Sequence, residues 1–237
     1  MALTLAQRWK QKILAQEALR QGIALADTPE SSDAMRDDLH LDVQQLRDME
    51  RREQREEYKL NVLLPKWLPQ VEQYLAQSDI YPCPALVYCM IWSFDIGDFE
   101  RCLELASVVV DEGQPMPENF SNSAGAFVAD NFRDWVEAEY GKGNGVEPYF
   151  SQVFELITRV WRLNEELTAR WFVLAARLAL RGSDGRQAAP AQIVEPEKLT
   201  QALALLQQAE AVSPAKSGAK TLMNKVVSRL RALGIDQ

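Results

Sequence analysis

Residues 62–117, VLLPKWLPQVEQYLAQSDIYPCPALVYCMIWSFDIGDFERCLELASVVVDEGQPMP, contain the clearest helical pattern of the chain. Two closely spaced prolines precede an apolar segment, which the acidic turn 95–98 separates from a second, amphipathic segment. Apolar side chains recur at three- and four-residue spacing in both segments, as they do along one face of an α-helix. Gly97 allows the chain to turn between them, and Gly113 with Pro115 ends the second helix. The pattern therefore predicts two helices joined by a tight turn.

The same spacing recurs along the rest of the chain, and continuous β-type alternation is absent. It predicts helices over residues 3–24, 34–60, 65–77, 83–96, 98–112, 124–140, 147–164, 166–181, 197–212 and 215–233. The predicted fold is all-α, with an N-terminal helical hairpin over 1–61, a central helical domain over 62–182 and a C-terminal helical hairpin over 183–237. The stripe Leu39/Val43/Leu46/Met49 is expected to pack on the main body or on a neighbouring subunit.

A weak internal repeat suggests tetratricopeptide-like hairpins within this bundle. Gly97-Asp98 leads into Cys102–Ala106, and Ser183–Gly185 leads, after an insertion, into Ala202–Leu206. Two imperfect copies are too few for a self-standing solenoid, and other helical hairpins share the pattern. Repeat-like packing and an ordinary bundle are both compatible with the sequence.

Composition restricts the class of protein further. The chain has 237 residues, of which 47% are hydrophobic, so it is long and apolar enough to bury a core. No apolar run reaches the length of a membrane span, and the first residues do not resemble a secretory signal. Cys83, Cys89 and Cys102 lie in apolar helical patterns, which predicts buried thiols in a reducing cytoplasm rather than disulfides.

Charge is unevenly distributed along the chain, whose net charge is −8. Residues 1–65 carry 10 basic and 12 acidic side chains, residues 66–150 carry 4 and 14, and residues 151–237 carry 12 and 8. The middle is therefore expected to repel a phosphate backbone, which leaves the two ends as candidate nucleic-acid contacts.

The elements of residues 62–117 resemble the small subunit of the peduovirus-type phage terminase. That family also has a Leu-Pro-aromatic-Leu-Pro segment before a helix that ends in Trp-x-x-Asp-x-Gly-Asp. Here the two motifs are Leu64-Pro65-Lys66-Trp67-Leu68-Pro69 and Trp92-Ser93-Phe94-Asp95-Ile96-Gly97-Asp98, and the Met-Pro pair at 116–117 falls where the family has it.

The resemblance implies a small subunit that binds the packaging site on viral double-stranded DNA as a homo-oligomer. It also implies a partner, the large ATPase–nuclease subunit, a location in the cytoplasm of the bacterial host, and no membrane or cofactor. The family is traditionally labelled the terminase endonuclease subunit. A metal-dependent DNA endonuclease and a helical protein-interaction scaffold without DNA binding therefore remain alternatives.

Residues that could carry catalysis are few. His40 is the single histidine, so no site that needs two histidines can form. Gly141-Lys142-Gly143-Asn144-Gly145 lacks the spacing of a phosphate loop and is predicted to be a connector. Two acidic trios, Asp95/Asp98/Glu100 and Asp130/Asp134/Glu137, are better explained as solvated helix faces, with Asp98 as a helix N-cap. No catalytic or metal-binding residue is therefore predicted.

Two basic segments are the candidate DNA-binding residues. Four cations and the single acid Glu17 occupy the first 20 residues; the cations are Arg8, Lys10, Lys12 and Arg20. The second candidate surface, for DNA or a partner protein, comprises Lys220, Lys225 and Arg229 near the other end. The dipole of the last helix would also favour Arg229 at its C-terminus. Most tryptophans are expected to be core anchors, and Trp9 to lie in the core or an interface.

Overall fold

The computed structural model describes residues 31–235, except for 78, 183, 184 and 187. These residues fold into helices without a β-strand, which confirms the all-α prediction. None of the described helices has the length and apolarity needed to cross a membrane. The chain forms two compact units, unit 1 ending at Ala124 and unit 2 beginning at Gly125. The predicted domain boundaries after residues 61 and 182, and the tetratricopeptide-like packing, stay predictions.

Unit 1 is built from α1 to α5. Their bounds are Ser31–Asp48 for α1, Arg52–Tyr58 for α2, Leu64–Leu75 for α3, Pro84–Asp95 for α4 and Phe99–Glu112 for α5. A π-helical turn, Lys59–Leu63, joins α2 to α3. It ends two residues before Pro65, whose ring would clash with the carbonyl four residues earlier in a regular α-helix.

The single helix predicted over residues 34–60 is wrong, because the chain breaks at residues 49–51. Arg51 has an extended backbone, and α1 folds back along α2 and α3. The Tyr58 hydroxyl donates to Gln45 Oε1 at 3.0 Å, and the buried Trp67 indole donates to Asp42 Oδ2 at 2.7 Å. The residues around this break are mostly charged, which is compatible with one continuous solvent-exposed helix. Nothing in the local sequence therefore indicates the break.

The predicted apolar stripe of α1 packs within unit 1. Leu39 and Val43 are buried, whereas Leu46 and Met49 are partly exposed. Asp42 lies between the two buried positions and also accepts from Lys66 Nζ at 2.7 Å. Two helix ends of unit 1 confirm the predicted turn chemistry as well: Asp98 accepts the Arg101 amide as an N-cap, and Gly113 ends α5 in the left-handed region.

A buried hydrogen-bond network fastens the α3–α4 loop to the end of α5, and we call it the Gln114 network. The Gln114 side chain accepts from the Cys83 amide at 2.9 Å and donates to the Tyr81 carbonyl at 2.9 Å. Its amide nitrogen also lies 2.7 Å from the Tyr74 hydroxyl and 2.8 Å from Glu112 Oε2. One side chain thus satisfies groups from three separate segments.

Unit 2 contains α6 to α10. Their bounds are Ala124–Lys142 for α6, Tyr149–Glu155 for α7, Glu165–Ala179 for α8, Pro196–Val212 for α9 and Lys220–Ala232 for α10. A π-helical turn, Leu156–Val160, extends α7. Of the predicted Gly-rich connector, residues 143–145 follow α6, whereas Gly141 and Lys142 are still part of this helix. Small residues let α8 and α9 pack closely, and apolar side chains of α9 and α10 complete this core. The buried residues include Ala169, Ala176, Leu199, Ala202, Leu203, Leu206, Val226 and Leu230.

Candidate functional site

The N-terminal candidates Arg8, Lys10, Lys12 and Arg20 lie outside the described residues, as does Trp9. The other tryptophans confirm the core prediction in four of five cases, since Trp67, Trp92, Trp161 and Trp171 are buried and Trp135 is partly exposed. The predicted buried thiols are also found, with all three cysteines unpaired and buried.

The C-terminal basic residues have different environments on α10. Arg229 Nε donates to the Ile193 carbonyl at 2.8 Å, so this side chain ties α10 to the linker before α9. Lys220 Nζ lies 3.3 Å from Glu210 Oε1. Lys225 is exposed and makes no ion pair within the described part of unit 2. Of the three, Lys225 is the exposed residue whose charge is not paired within the described part of unit 2.

The two acidic trios are engaged with neighbouring cations. Asp95 Oδ2 lies 2.6 Å from Lys59 Nζ, and Arg133 bridges Asp130 at 3.0 Å and Asp134 at 2.8 Å. Among the residues that the structure describes, no group of three His, Cys, Asp or Glu side chains could hold a metal ion. His40 is exposed on α1, with Gln44 Nε2 at 2.7 Å from its Nε2.

A cleft in unit 1 brings together cations that the sequence analysis did not single out, and we call it the cationic cleft. Its volume is about 350 Å³. Four cations line it: Arg47, Arg52, Arg55 and Lys59. Its apolar and aromatic lining comes from α1, from α4 and from the segment after α5: Val43, Leu46, Tyr88, Ile91, Trp92 and Phe120. Two carboxylates, those of Glu56 and Asp95, and the Asn119 amide complete the wall.

The spacing along α2 explains why the cations converge. Arg52, Arg55 and Lys59 follow at intervals of three and four residues, so they share one helix face. Glu53 and Glu57 are exposed and do not line the cleft. A block with alternating charges in sequence thus presents mainly positive charge toward the cleft.

The four cations differ in how far their charge is already satisfied. Arg52 is paired with Glu56 at 2.7 Å and Lys59 with Asp95 at 2.6 Å. Arg47 donates to the neutral Asn119 Oδ1 at 3.1 Å. The partly buried Arg55 side chain makes no hydrogen bond or ion pair with any described residue. Both carboxylates of the cleft are therefore paired with a cation, and two guanidinium groups retain N–H donors for an anion.

Aromatic rings form part of the same cleft. The rings of Tyr88 and Trp92 are stacked, with 5.4 Å between centroids and an interplanar angle of 28°. Burial raises the pKa of Tyr88, and the positive charge of Arg47 acts in the opposite direction. Tyr88 and Phe120 are partly exposed, whereas Trp92 is buried beneath them in the lining. The cleft can therefore bind a group that combines negative charge with a flat or apolar surface.

These features define an all-α protein of two helical units, one of which has a cationic cleft. The chain belongs to the phage small terminase subunit family. The match to this family covers residues 37–166. It is 39% identical over 195 residues to a protein of Haemophilus phage HP1 (strain HP1c1) described as "Probable terminase, endonuclease subunit". This match covers 82% of the chain and 69% of the relative. No solved structure gives a significant match.

Family membership confirms the resemblance predicted from residues 62–117 and gives the chain a role in phage DNA packaging. The matched region begins within α1, so it includes the whole cationic cleft. The cleft was not predicted from the sequence, because α1 and α2 fall within the single helix predicted over residues 34–60. The i, i+3, i+7 spacing of cations from Arg52 to Lys59 was the available signal.

Proposed function

We propose that the protein binds the packaging site on viral double-stranded DNA as a homo-oligomer and presents it to the terminase large subunit. It acts in the cytoplasm of the bacterial host, where the viral DNA is cut and packaged. The observation that carries this proposal is the family match over residues 37–166. The uneven charge of the chain supports it, since basic residues collect near both ends and acids in the middle.

The main DNA contact is assigned to the N-terminal segment. Within the first 20 residues, four cations outnumber the single acid Glu17; the cations are Arg8, Lys10, Lys12 and Arg20. Lysine and arginine contacts to phosphates release counterions, which favours binding to DNA of any sequence. The surface around Lys225 is a second candidate for DNA or for the large subunit, because its charge is not used within unit 2.

Replacing Arg8 and Lys12 together with alanine is expected to weaken DNA binding and its salt dependence. Each lost phosphate contact flattens the plot of log affinity against log salt by about 0.9, so the slope should change by about two per subunit engaged. The measurement is a titration of labelled viral-end duplex at several salt concentrations. Lys220→Ala with Lys225→Ala is the matched control, since it also removes two cations.

If only the N-terminal segment contacts DNA, the control pair should leave the slope unchanged within about half a unit. If the Arg8/Lys12 variant keeps wild-type affinity and slope while the control pair loses both, the DNA contact belongs to α10. If neither pair changes DNA binding, both assigned surfaces are wrong. Complete absence of DNA binding by the wild-type protein would favour the alternative of a protein-interaction scaffold.

A second candidate function is metal-dependent DNA cleavage by this chain itself. It is favoured by the word endonuclease in the description of the relative from phage HP1. The carboxylates of the helix face with Asp130 and Asp134 are bridged by Arg133, which suits a structural role better than metal binding. We expect no nicking of DNA by the isolated chain with Mg²⁺. Cleavage that is lost on replacing Asp130 and Asp134 would establish the nuclease instead.

A further inference from the structure

We propose that the cationic cleft is a second nucleic-acid site, which binds a single nucleotide: the phosphate at Arg47 and Arg55, and the base against Tyr88 and Phe120. This inference deepens the proposed function and rests on it for the source of the nucleotide. The nucleotide is an unpaired residue of a DNA strand or a free nucleoside phosphate, which share the same chemistry. The duplex contact assigned to residues 8–20 is a separate site.

The positive charge that remains in the cleft is the first argument. Glu56 and Asp95 are each paired with a cation at 2.7 Å and 2.6 Å, so they neutralise Arg52 and Lys59. Arg55 has no side-chain partner among the described residues, and Arg47 has a neutral one. A guanidinium presents parallel N–H donors that match two oxygens of a phosphate. Charge complementarity therefore favours the binding of an anion at these two arginines.

The rings and the size of the cleft are the second argument. Partly exposed Tyr88 and Phe120 offer ring surface beside the two arginines, and base–aromatic stacking is a main source of affinity for single-stranded nucleic acid. A volume of about 350 Å³ is near the lower end of the range for small-ligand pockets. It suits one nucleotide, whereas a base pair within a duplex cannot enter.

An acidic protein segment is the competing occupant, because carboxylates also pair with arginine. The cleft is small for a helix or strand of a partner protein. Its aromatic lining lies beside guanidinium groups that have no carboxylate partner, and this combination matches a base with an attached phosphate more closely than an isolated carboxylate side chain. We therefore assign the nucleotide, and the experiment below includes the acidic peptide as a separate arm.

The test compares Arg55→Gln with Arg51→Gln in the full chain. Both changes remove one positive charge from the same segment, Arg51 directly before α2 and Arg55 within α2, but Arg51 does not line the cleft. Binding of a labelled single-stranded DNA hexamer is measured by fluorescence polarisation. Arg55→Gln should weaken it by at least about tenfold, as expected for loss of a charge-assisted hydrogen-bond pair, and Arg51→Gln by less than about twofold. Tyr88→Leu should weaken it about fivefold or more through lost stacking.

Further arms separate this inference from the proposed function. Blunt duplex binding should be unaffected by Arg55→Gln and weakened by the Arg8/Lys12 variant. If the wild-type protein does not bind duplex DNA but binds the hexamer in a manner that depends on Arg55, the proposed function is overturned and the nucleotide site in the cleft is supported. Competition by dAMP assigns the source to free nucleotide, and failure of dAMP to compete assigns it to a DNA strand.

Two results would overturn the inference. One is equal hexamer affinity of the Arg55 and Arg51 variants, with both folded by circular dichroism. The other is binding of an oligoglutamate peptide at least as tightly as the hexamer, with the same dependence on Arg55, which would assign the cleft to an acidic protein partner.

Discussion

Raising the pH from about 8 to about 10 is expected to lower the free energy of unfolding of unit 1 by about 4 kcal/mol. Burial raises the pKa of the Cys83 thiol to about 11, and those of Cys89 and Cys102 to about 12, from an ordinary value of 9.0. Above pH 9 these thiols lose their protons in the unfolded chain but keep them in the folded one. Stability is therefore full below pH 9 and falls as the pH rises toward 11.

Each thiol contributes about 1.4 kcal/mol per pH unit within this window, and all three lie in unit 1. The measurement is urea unfolding at a series of pH values up to about 9.5, where tyrosines, with an ordinary pKa of 10.0, add little. Cys102→Ala should reduce the dependence on pH by about one third. An unchanged pH dependence in that variant would show that the buried thiols are not its cause.

Gln114→Ala is expected to lower the free energy of unfolding of unit 1 by about 3 kcal/mol. The substitution leaves the buried Cys83 amide without its acceptor and removes a donor to the Tyr81 carbonyl. A buried polar group without a partner costs about 1 to 3 kcal/mol. The loop between α3 and α4 also loses its link to the end of α5.

Urea unfolding followed by tryptophan fluorescence measures this effect. Gln207→Ala is the matched control, because Gln207 is exposed on α9 and its side chain makes no hydrogen bond with any described residue. It should change stability by less than about 0.5 kcal/mol. A Gln114 variant as stable as this control would mean that the network adds no net stability.

Local signals in the sequence were enough to predict most helices. Periodicity gave the helices, and the turn chemistry of Gly97, Asp98 and Gly113 gave their ends around the α4–α5 turn. The break at residues 49–51 was missed because its cause is tertiary. Hydrogen bonds from Trp67 and Tyr58 hold α1 against α2 and α3. The sequence of the charged linker does not indicate these contacts.

The candidate site was harder to predict than the fold. The cations of α2 were visible in sequence, but Tyr88 belongs to α4 and Phe120 to the segment after α5. Only folding shows which carboxylates neutralise which cations. The pairing of Lys59 with Asp95, 36 residues apart, and the bond from Arg229 to the Ile193 carbonyl have no sequence signature.

The most direct test of the DNA-packaging account is a comparison of two duplexes of equal length, one with the viral packaging site and one with the same bases scrambled. The purified chain is titrated with each, and the mass of the complex is measured in solution. We expect at least about a thousandfold preference for the packaging site at physiological salt, and a complex that contains several copies of the chain. Equal affinity for both duplexes, or a complex with a single copy, would contradict the account.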